Sequence, residues 1–254
     1  MDTAPLISVV IPVLDDAPAL GVRLAELGPA AEGAAAAVEV VIVDGAATES
    51  VAMTDLRAAC PAARWLRSGA GRARQMNAGA AVARGRWLLF LHADTRLDAG
   101  WAAAIERLDR DGRTAWGAFR FALDSADWRA RIIEWGVARR TRRLRLPFGD
   151  QALFVRRDLF EALGGFADLP LMEDLDLVRR LARRRPPSWL PLRATSSPRR
   201  WLHDGWVRRS ARNVVLQLLY FAGVPPARLA AHYGAKPGHR PPGAPGHAPH
   251  DESL

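Results

Sequence analysis

Three apolar runs end in acids. Asp15-Asp16 follows Leu6–Leu14 (LISVVIPVL), Asp44 follows Val38–Val43, and Asp94 follows Trp87–Leu91 as His92-Ala93-Asp94. Aspartate is a good loop and N-cap residue. That plainer reading suits Asp55, and Asp98 ahead of a helix over Ala99–Leu108. It accounts less well for three acids on one rim, because clustered like charges raise one another's pKa unless a cation or hydrogen bonds relieve them. The segment Ser68–Asn77 (SGAGRARQMN) adds complementary chemistry. Arg72 and Arg74 fall in the first turn of a helix, where the macrodipole disfavours cations. An anion held there would offset the misfit; two solvated arginines are the alternative. Asn77 lies one turn further, on the small-residue face with Ala73, Ala80 and Ala81. Acids able to hold a metal beside arginines able to hold phosphate point to a metal-bound diphosphate.

The elements that must position these groups follow from periodicity. Leu6–Leu14, Val38–Val43, Arg64–Leu66 and Trp87–Leu91 read as buried strands; Ala17–Leu27, Ala52–Ala59 and Arg72–Ala83 read as helices. Alternation of this kind over about a hundred residues predicts a doubly wound, mostly parallel sheet, whose ligands bind beyond the carboxyl ends of the strands. Further on, the pattern gives strands over Thr114–Leu123 and Gln151–Val155. It gives helices over Trp128–Leu144, Met172–Arg184 and Val207–Phe221, with a helical turn at Asp158–Leu163 ended by Gly164-Gly165. From Ala235 onward Pro, Gly and His dominate, a composition that predicts disorder.

Composition narrows the classes. The chain has 254 residues with 49% apolar and 25% charged, which suits one large α/β domain. A single cysteine, Cys60, excludes an internal disulfide framework and a Cys-cluster zinc site. No apolar run is long enough to span a bilayer, and no basic segment marks a signal peptide, so the expected location is the cytoplasm. The net charge of +9 is almost wholly arginine, since Lys236 is the sole lysine. With abundant Ala, Gly and Pro this reflects coding bias as much as polyanion binding, and no specific nucleic-acid partner is expected. Neither a GxGxxG fingerprint after the first strand nor a Walker loop occurs, which argues against dinucleotide oxidoreductases and P-loop enzymes.

The series SVVIPVLDD, VIVDGAATES, GRARQMNAGA, LLFLHADT, GDQALFVRRDLFEALGGF and LMEDLDLVRRL resembles a family 2 glycosyltransferase of GT-A fold. More narrowly, it resembles the small bacterial branch known as radical-SAM/selenodomain-associated transferase 2. The likeness runs from about Leu6 to Tyr233, in the family's order, and is specific only when the motifs are taken jointly. It implies a nucleotide-sugar donor, with Pro12, Asp16 and Asp44 against the nucleoside and Asp44 at the base, usually uracil. Asp16 stands where many relatives have Glu. Arg72 and Asn77 would line the nucleotide pocket. His92-Ala93-Asp94 stands at the family's DXD motif: Asp94 matches the metal-binding acid, and His92 replaces the first Asp. The implied metal is Mn²⁺ or Mg²⁺, bridging diphosphate oxygens.

Glu173-Asp174 matches the family's ED motif, in which the Asp is the catalytic base of an inverting, metal-dependent transfer to a hydroxyl acceptor. Stabilisation of a helix start is the alternative, and Glu173 suits it. Asp150 and Gln151 (GDQ) resemble the loop that contacts donor sugar or acceptor, with a hydrogen-bonded turn as the alternative. Arg200-Trp201 matches an RW element that lacks its preceding Gln. His203 reads as a loop residue.

The helix Trp128–Leu144 mixes Ile132, Ile133, Trp135 and Val137 with arginines, the composition of an interfacial helix. It also suits a helix with one face on the sheet and one in water. The two readings weigh equally; the first implies peripheral contact with the inner face of a membrane, or a lipid-linked acceptor. The tryptophans read first as core or rim packing, with Trp128 and Trp135 as an acceptor platform the alternative. The expected organisation is a GT-A domain over residues 4–205, a helical extension over 206–234 and a loose tail over 235–254. The rivals are a nucleotidyltransferase, which would normally carry a Gly- and Lys-containing loop where PVLDD stands, and a non-catalytic polyanion-binding protein, whose binding would be steeply salt-dependent.

Overall fold

The computed structural model describes residues 4–32 and 37–233. The expected tail over 235–254, and position 234 of the extension, lie outside the described residues. The first half alternates as its apolar runs require: β1 (Ile7–Val13), α1 (Ala17–Glu32), β2 (Val38–Asp44), α2 (Val51–Ala59), β3 (Arg64–Arg67), α3 (Arg72–Val82) and β4 (Trp87–Phe90). Then come β5 (Thr95–Leu97), α4 (Trp101–Asp111), β6 (Trp116–Leu123), α5 (Trp128–Leu144), a 3-10 turn (Gly149–Gln151), β7 (Leu153–Arg156), α6 (Arg157–Ala162) and α7 (Glu173–Arg184). β8 (Ser188–Ser196), α8 (Arg199–Asp204), α9 (Trp206–Phe221) and α10 (Pro226–Tyr233) complete the described chain.

One eight-stranded sheet runs in the order β3-β2-β1-β4-β7-β6-β8-β5. β1 to β4 are parallel, as are β6 and β8, while β7 and β5 run against their neighbours. The architecture is α/β with a mostly parallel sheet flanked by helices, as in GT-A folds. β1 shows why both faces must be covered, because its side chains alternate between two cores. Ile7, Val9, Ile11 and Val13 join Leu20 of α1, Met53 of α2 and Ile105 of α4. Val10 joins Ala80 of α3, Phe160 of α6 and Leu181 of α7 on the opposite face. Gly79 lets α3 lie close on β1: a Cβ there would sit 2.4 Å from Val10 Cγ1.

Several features depart from the sequence pattern: β5 and α8 are short elements it did not give, and Asp55 lies inside α2, whose N-cap is Ser50. β8 was not expected, because over Ser188–Arg193 its side chains alternate between half-buried and exposed and Pro191 interrupts it. The sheet absorbs the proline at a register shift: Phe119 pairs with Leu190 but Arg120 pairs with Arg193, so Pro191 and Leu192 bulge out. Asp98 does not cap α4, whose N-cap is the left-handed Gly100; Asp98 instead accepts from the Arg193 backbone N–H at 2.9 Å.

Candidate active site

Topology gathers the site. Parallel β1, β2 and β4 deliver Asp16, Asp44 and His92–Asp94 to one sheet edge. Because β7 is antiparallel to β4, with Leu153 opposite Phe90, its leading turn Gly149–Gln151 begins where β4 ends. β8 ends at the same edge, Ser196 bonded to Thr95 at 2.9 Å between hydroxyls, and hands the chain to α8. The start of α7 is drawn in by Arg72, whose guanidinium lies 3.1 Å from buried Glu173. The outcome is a cavity lined by Arg72, His92, Asp94, Asp150, Asp174 and Arg200, from five separate stretches of chain.

Asp174 is held at both oxygens. Oδ2 accepts from the Gly149 N–H at 2.7 Å and Oδ1 from the Leu175 N–H at 2.7 Å. Gly149 fits because it has no side chain: a Cβ there would sit 3.1 Å from Asp174 Oδ2 and 3.2 Å from His92 Nε2. Met172, just ahead of the acids, holds a left-handed backbone (φ 67°), an unusual state for a long side chain that recurs at functional sites. Desolvation, followed by Arg72 and Arg200, holds the His92 imidazole well below its ordinary value, so it is neutral at pH 7. Desolvation pushes Asp150 up to about 6, with Arg140 opposing and Asp174 reinforcing. Its Oδ1 is buried without a hydrogen-bond partner among the described residues. Burial likewise raises the Glu173 carboxyl, while Arg72 pulls it down.

The remaining expected residues divide. Asp44 is buried at the end of β2, with Oδ1 accepting from the Ala46 N–H at 2.9 Å. Its Oδ2 is buried and has no hydrogen-bond partner among the described residues. Beside it opens a hollow of about 690 Å³ between the ends of β1, β2 and β3, lined by Asp15, Gly45 and Ser68. Pro12 sits in β1 beyond the last residue paired with β4, where its ring offers no N–H to carry that ladder further. Asp16 and Asp94 are bridged by Arg199, which lies 3.3 Å from Asp94. Asn77 is not among the residues lining the cavity. Its amide clamps α3 to a distant loop, donating to Phe166 O at 2.8 Å and accepting from Phe166 N at 2.9 Å.

Gln151 is buried and engaged by the Phe119 carbonyl, the Thr141 hydroxyl and the Phe148 N–H. It latches the turn that presents Asp150. Arg74 lies on the surface, 2.9 Å from Asp168. His203 is exposed and pairs with Asp204.

Four contributors escaped the sequence reading. Arg199 stands beside the noted Arg200. Gln75 straps the strand ends, donating to Val13 O at 2.7 Å and Val43 O at 2.9 Å. Arg140 approaches the Phe148 ring to 3.7 Å, and its charge opposes that of Asp150. Finally, α9 lines the cavity with Arg209, Asn213 and Gln217. Their spacing of four places them on one face of the helix, a signal the sequence does carry.

A family model described as glycosyl transferase family 2 matches residues 8–166. The chain belongs to that family. No curated protein matches its sequence. In fold, this family 2 member is similar to a mannosyltransferase from Pyrobaculum calidifontis solved with GDP-Man and Mn²⁺. The two share 18% identity with a TM-score of 0.60, over 87% of this chain and 65% of that one. It is also similar to residues 1–349 of TarS from S. aureus, solved in complex with UDP, at 15% identity and a TM-score of 0.57. That match covers 76% of this chain and 61% of that one. The chain therefore spans less than two thirds of either structure's length, and at such identities the likeness is one of fold. Among the described residues, no cluster of three His, Cys, Asp or Glu side chains stands ready to hold a metal ion. No described helix is long and apolar enough to cross a membrane.

Proposed function

We propose that the chain is an inverting, metal-dependent glycosyltransferase that moves a sugar from a nucleoside diphosphate to a hydroxyl acceptor. The observation that carries this reading is the convergence of Asp94, Asp150, Asp174, His92, Arg72 and Arg200 on one cavity at the carboxyl edge of the sheet. Residues 4–205 would form the transferase domain, with α9, which lines the cleft, and α10 as an extension. The radical-SAM-associated branch remains the proposed placement within the family.

In this mechanism Asp174 is the base. Two backbone N–H groups fix its carboxylate, so that one oxygen takes the proton of the acceptor hydroxyl. The acceptor oxygen forms its bond to the anomeric carbon as the bond from that carbon to the diphosphate breaks, and attack opposite the leaving group inverts the centre. Arg72 and Arg200 bring positive charge to the side of the cavity where the diphosphate gathers charge. The donor set suits a divalent ion bound together with substrate. Asp94 offers a carboxylate that already attracts the Arg199 cation, and His92 offers a neutral imidazole. Ions in phosphate chemistry take one or two protein ligands and draw the rest from phosphate and water. When bound by Asp94 and His92, Mn²⁺ or Mg²⁺ would neutralise the departing diphosphate.

Asp44 bears on the base. Ala46 occupies one oxygen, so one buried oxygen remains to accept a single N–H. That matches the one imide N–H of uracil or thymine better than the paired N–H donors of guanine; with uracil the usual base in the resemblance, it favours a UDP-sugar. The test is a thermal-shift panel of UDP-, GDP- and dTDP-sugars with and without Mn²⁺, followed by proton NMR of the product's anomeric configuration. Stabilisation by UDP-sugars with Mn²⁺ and an inverted product are expected. A retained configuration, or no nucleotide effect, would overturn the reading.

A further inference from the structure

The outer faces of α5 and α9 carry a second pattern. On α5, Ala130, Glu134 and Thr141 are buried, while Trp128, Ile132 and Trp135 form the opposite stripe; Trp128 is 65% and Trp135 64% exposed. Exposing two tryptophans on one helix face leaves a large apolar area in water. Each ring has a guanidinium over it, Arg129 on Trp128 at 5.7 Å and Arg139 on Trp135 at 5.3 Å. α9 repeats the division. Its inner face lines the cleft with Arg209, Asn213 and Leu216. Its outer face shows Val207, Val214, Leu218 and Phe221, spaced by sevens, fours and threes, with Val207 81% exposed. The two helices come together at their first turns, where Ala130 of α5 and Trp206 of α9 share a small core with Phe121 and Leu123.

We propose that this α5–α9 face docks on an anionic bilayer surface, its tryptophans and aliphatic stripe seated among the headgroups. Charge selects this occupant. α5 carries six arginines, of which Arg140 turns inward to Phe148, against one acid, and that acid, Glu134, is buried against the Leu123 N–H and Arg131. α8 and α9 carry one acid, Asp204, which Arg209 pairs. A second copy of the same face would set arginine against arginine, whereas anionic headgroups neutralise the rows that flank the apolar stripes. Exposed Trp beside Arg is the pairing that suits a boundary between water and lipid. Docking this way leaves the cleft on the inner side of α9, next to the lipid. It stands independently of the reading of the cleft.

The test sediments the full chain with phosphatidylcholine vesicles, with and without phosphatidylglycerol, at low and high salt. Tryptophan emission and solution mass are followed alongside. Binding only to the anionic vesicles, weakened by salt and accompanied by a blue shift, is expected. Partition should fall at least tenfold in two triple variants, Trp128→Ser/Ile132→Ser/Trp135→Ser and Val214→Ser/Leu218→Ser/Phe221→Ser. Both replace exposed side chains, so far-UV circular dichroism and nucleotide-induced thermal shifts should match the parent. No sedimentation of the parent, or sedimentation that both variants retain, overturns the proposal. So does a dimer that the variants dissociate, since the face would then belong to a second copy. Loss of nucleotide shifts in the parent would count against the transferase reading and leave the docking result untouched.

Discussion

Asp150→Asn separates burial of a carboxyl from mere presence of one. Asp150 is pushed up to about 6 from its ordinary 3.8, mainly by desolvation. A group that holds its proton more tightly in the folded chain contributes stability that is whole below the unfolded pKa and disappears as pH rises through the folded value. At about 1.36 kcal/mol per pKa unit, this gap corresponds to roughly 3 kcal/mol lost from acid to mildly alkaline pH. About half of it, roughly 1.4 kcal/mol, falls between about pH 5 and pH 8. Asparagine keeps the shape and cannot ionise, so the variant lacks this slope. Its stability relative to the parent should rise by that amount across the interval, about 3–5 °C in Tm for a chain of this size. Chemical unfolding followed by tryptophan fluorescence at several pH values measures it. A fixed offset from the substitution cancels, because only the change with pH is compared. Parallel pH profiles for the two proteins would mean that Asp150 ionises freely, and the desolvation argument would fail.

Four further outcomes follow from the same geometry. Asp174→Asn should keep nucleotide-dependent stabilisation and lose about 10²–10⁴ in kcat, read by product formation under saturating donor. Normal turnover would remove it as the base. Asp94→Ala should abolish the Mn²⁺-dependent part of the nucleotide thermal shift; a shift that persists unchanged would place the metal elsewhere. Gly149→Ala should lower kcat more than it raises KM, because its methyl group would press on Asp174 and His92. Unaltered kinetics would mean the turn yields freely. Asn77→Ala should destabilise the fold by about 1–3 kcal/mol in urea unfolding through the unmade Phe166 bonds. Nucleotide affinity should change little, whereas a selective loss of affinity would restore Asn77 to the nucleotide pocket.

What the sequence made legible has a physical boundary. The parallel half announced itself because strands buried on both faces must be apolar without a break, as IleSerValValIle in β1 and ValValIleVal in β2 nearly are. β8 gave no such run, since alternate side chains over Ser188–Arg193 meet water and a proline bulge breaks its register. The acids were legible for the same reason as the strands, because each stands where a buried run stops and parallel pairing carries all such stops to one edge. The amides were not. Asn77 finds its partners 89 residues away, and Gln75 bonds carbonyls 62 and 32 residues away. An amide is satisfied by any backbone group that tertiary packing brings near, so its type and spacing carry no address. A carboxylate or guanidinium gathered with others in a desolvated cleft is different, because its charge needs an answering charge and so marks where a ligand belongs. Hence Asp94, Asp174, Arg72 and Arg200 line the cavity, while Asn77 and Gln151, singled out from the same motifs, hold the frame around it.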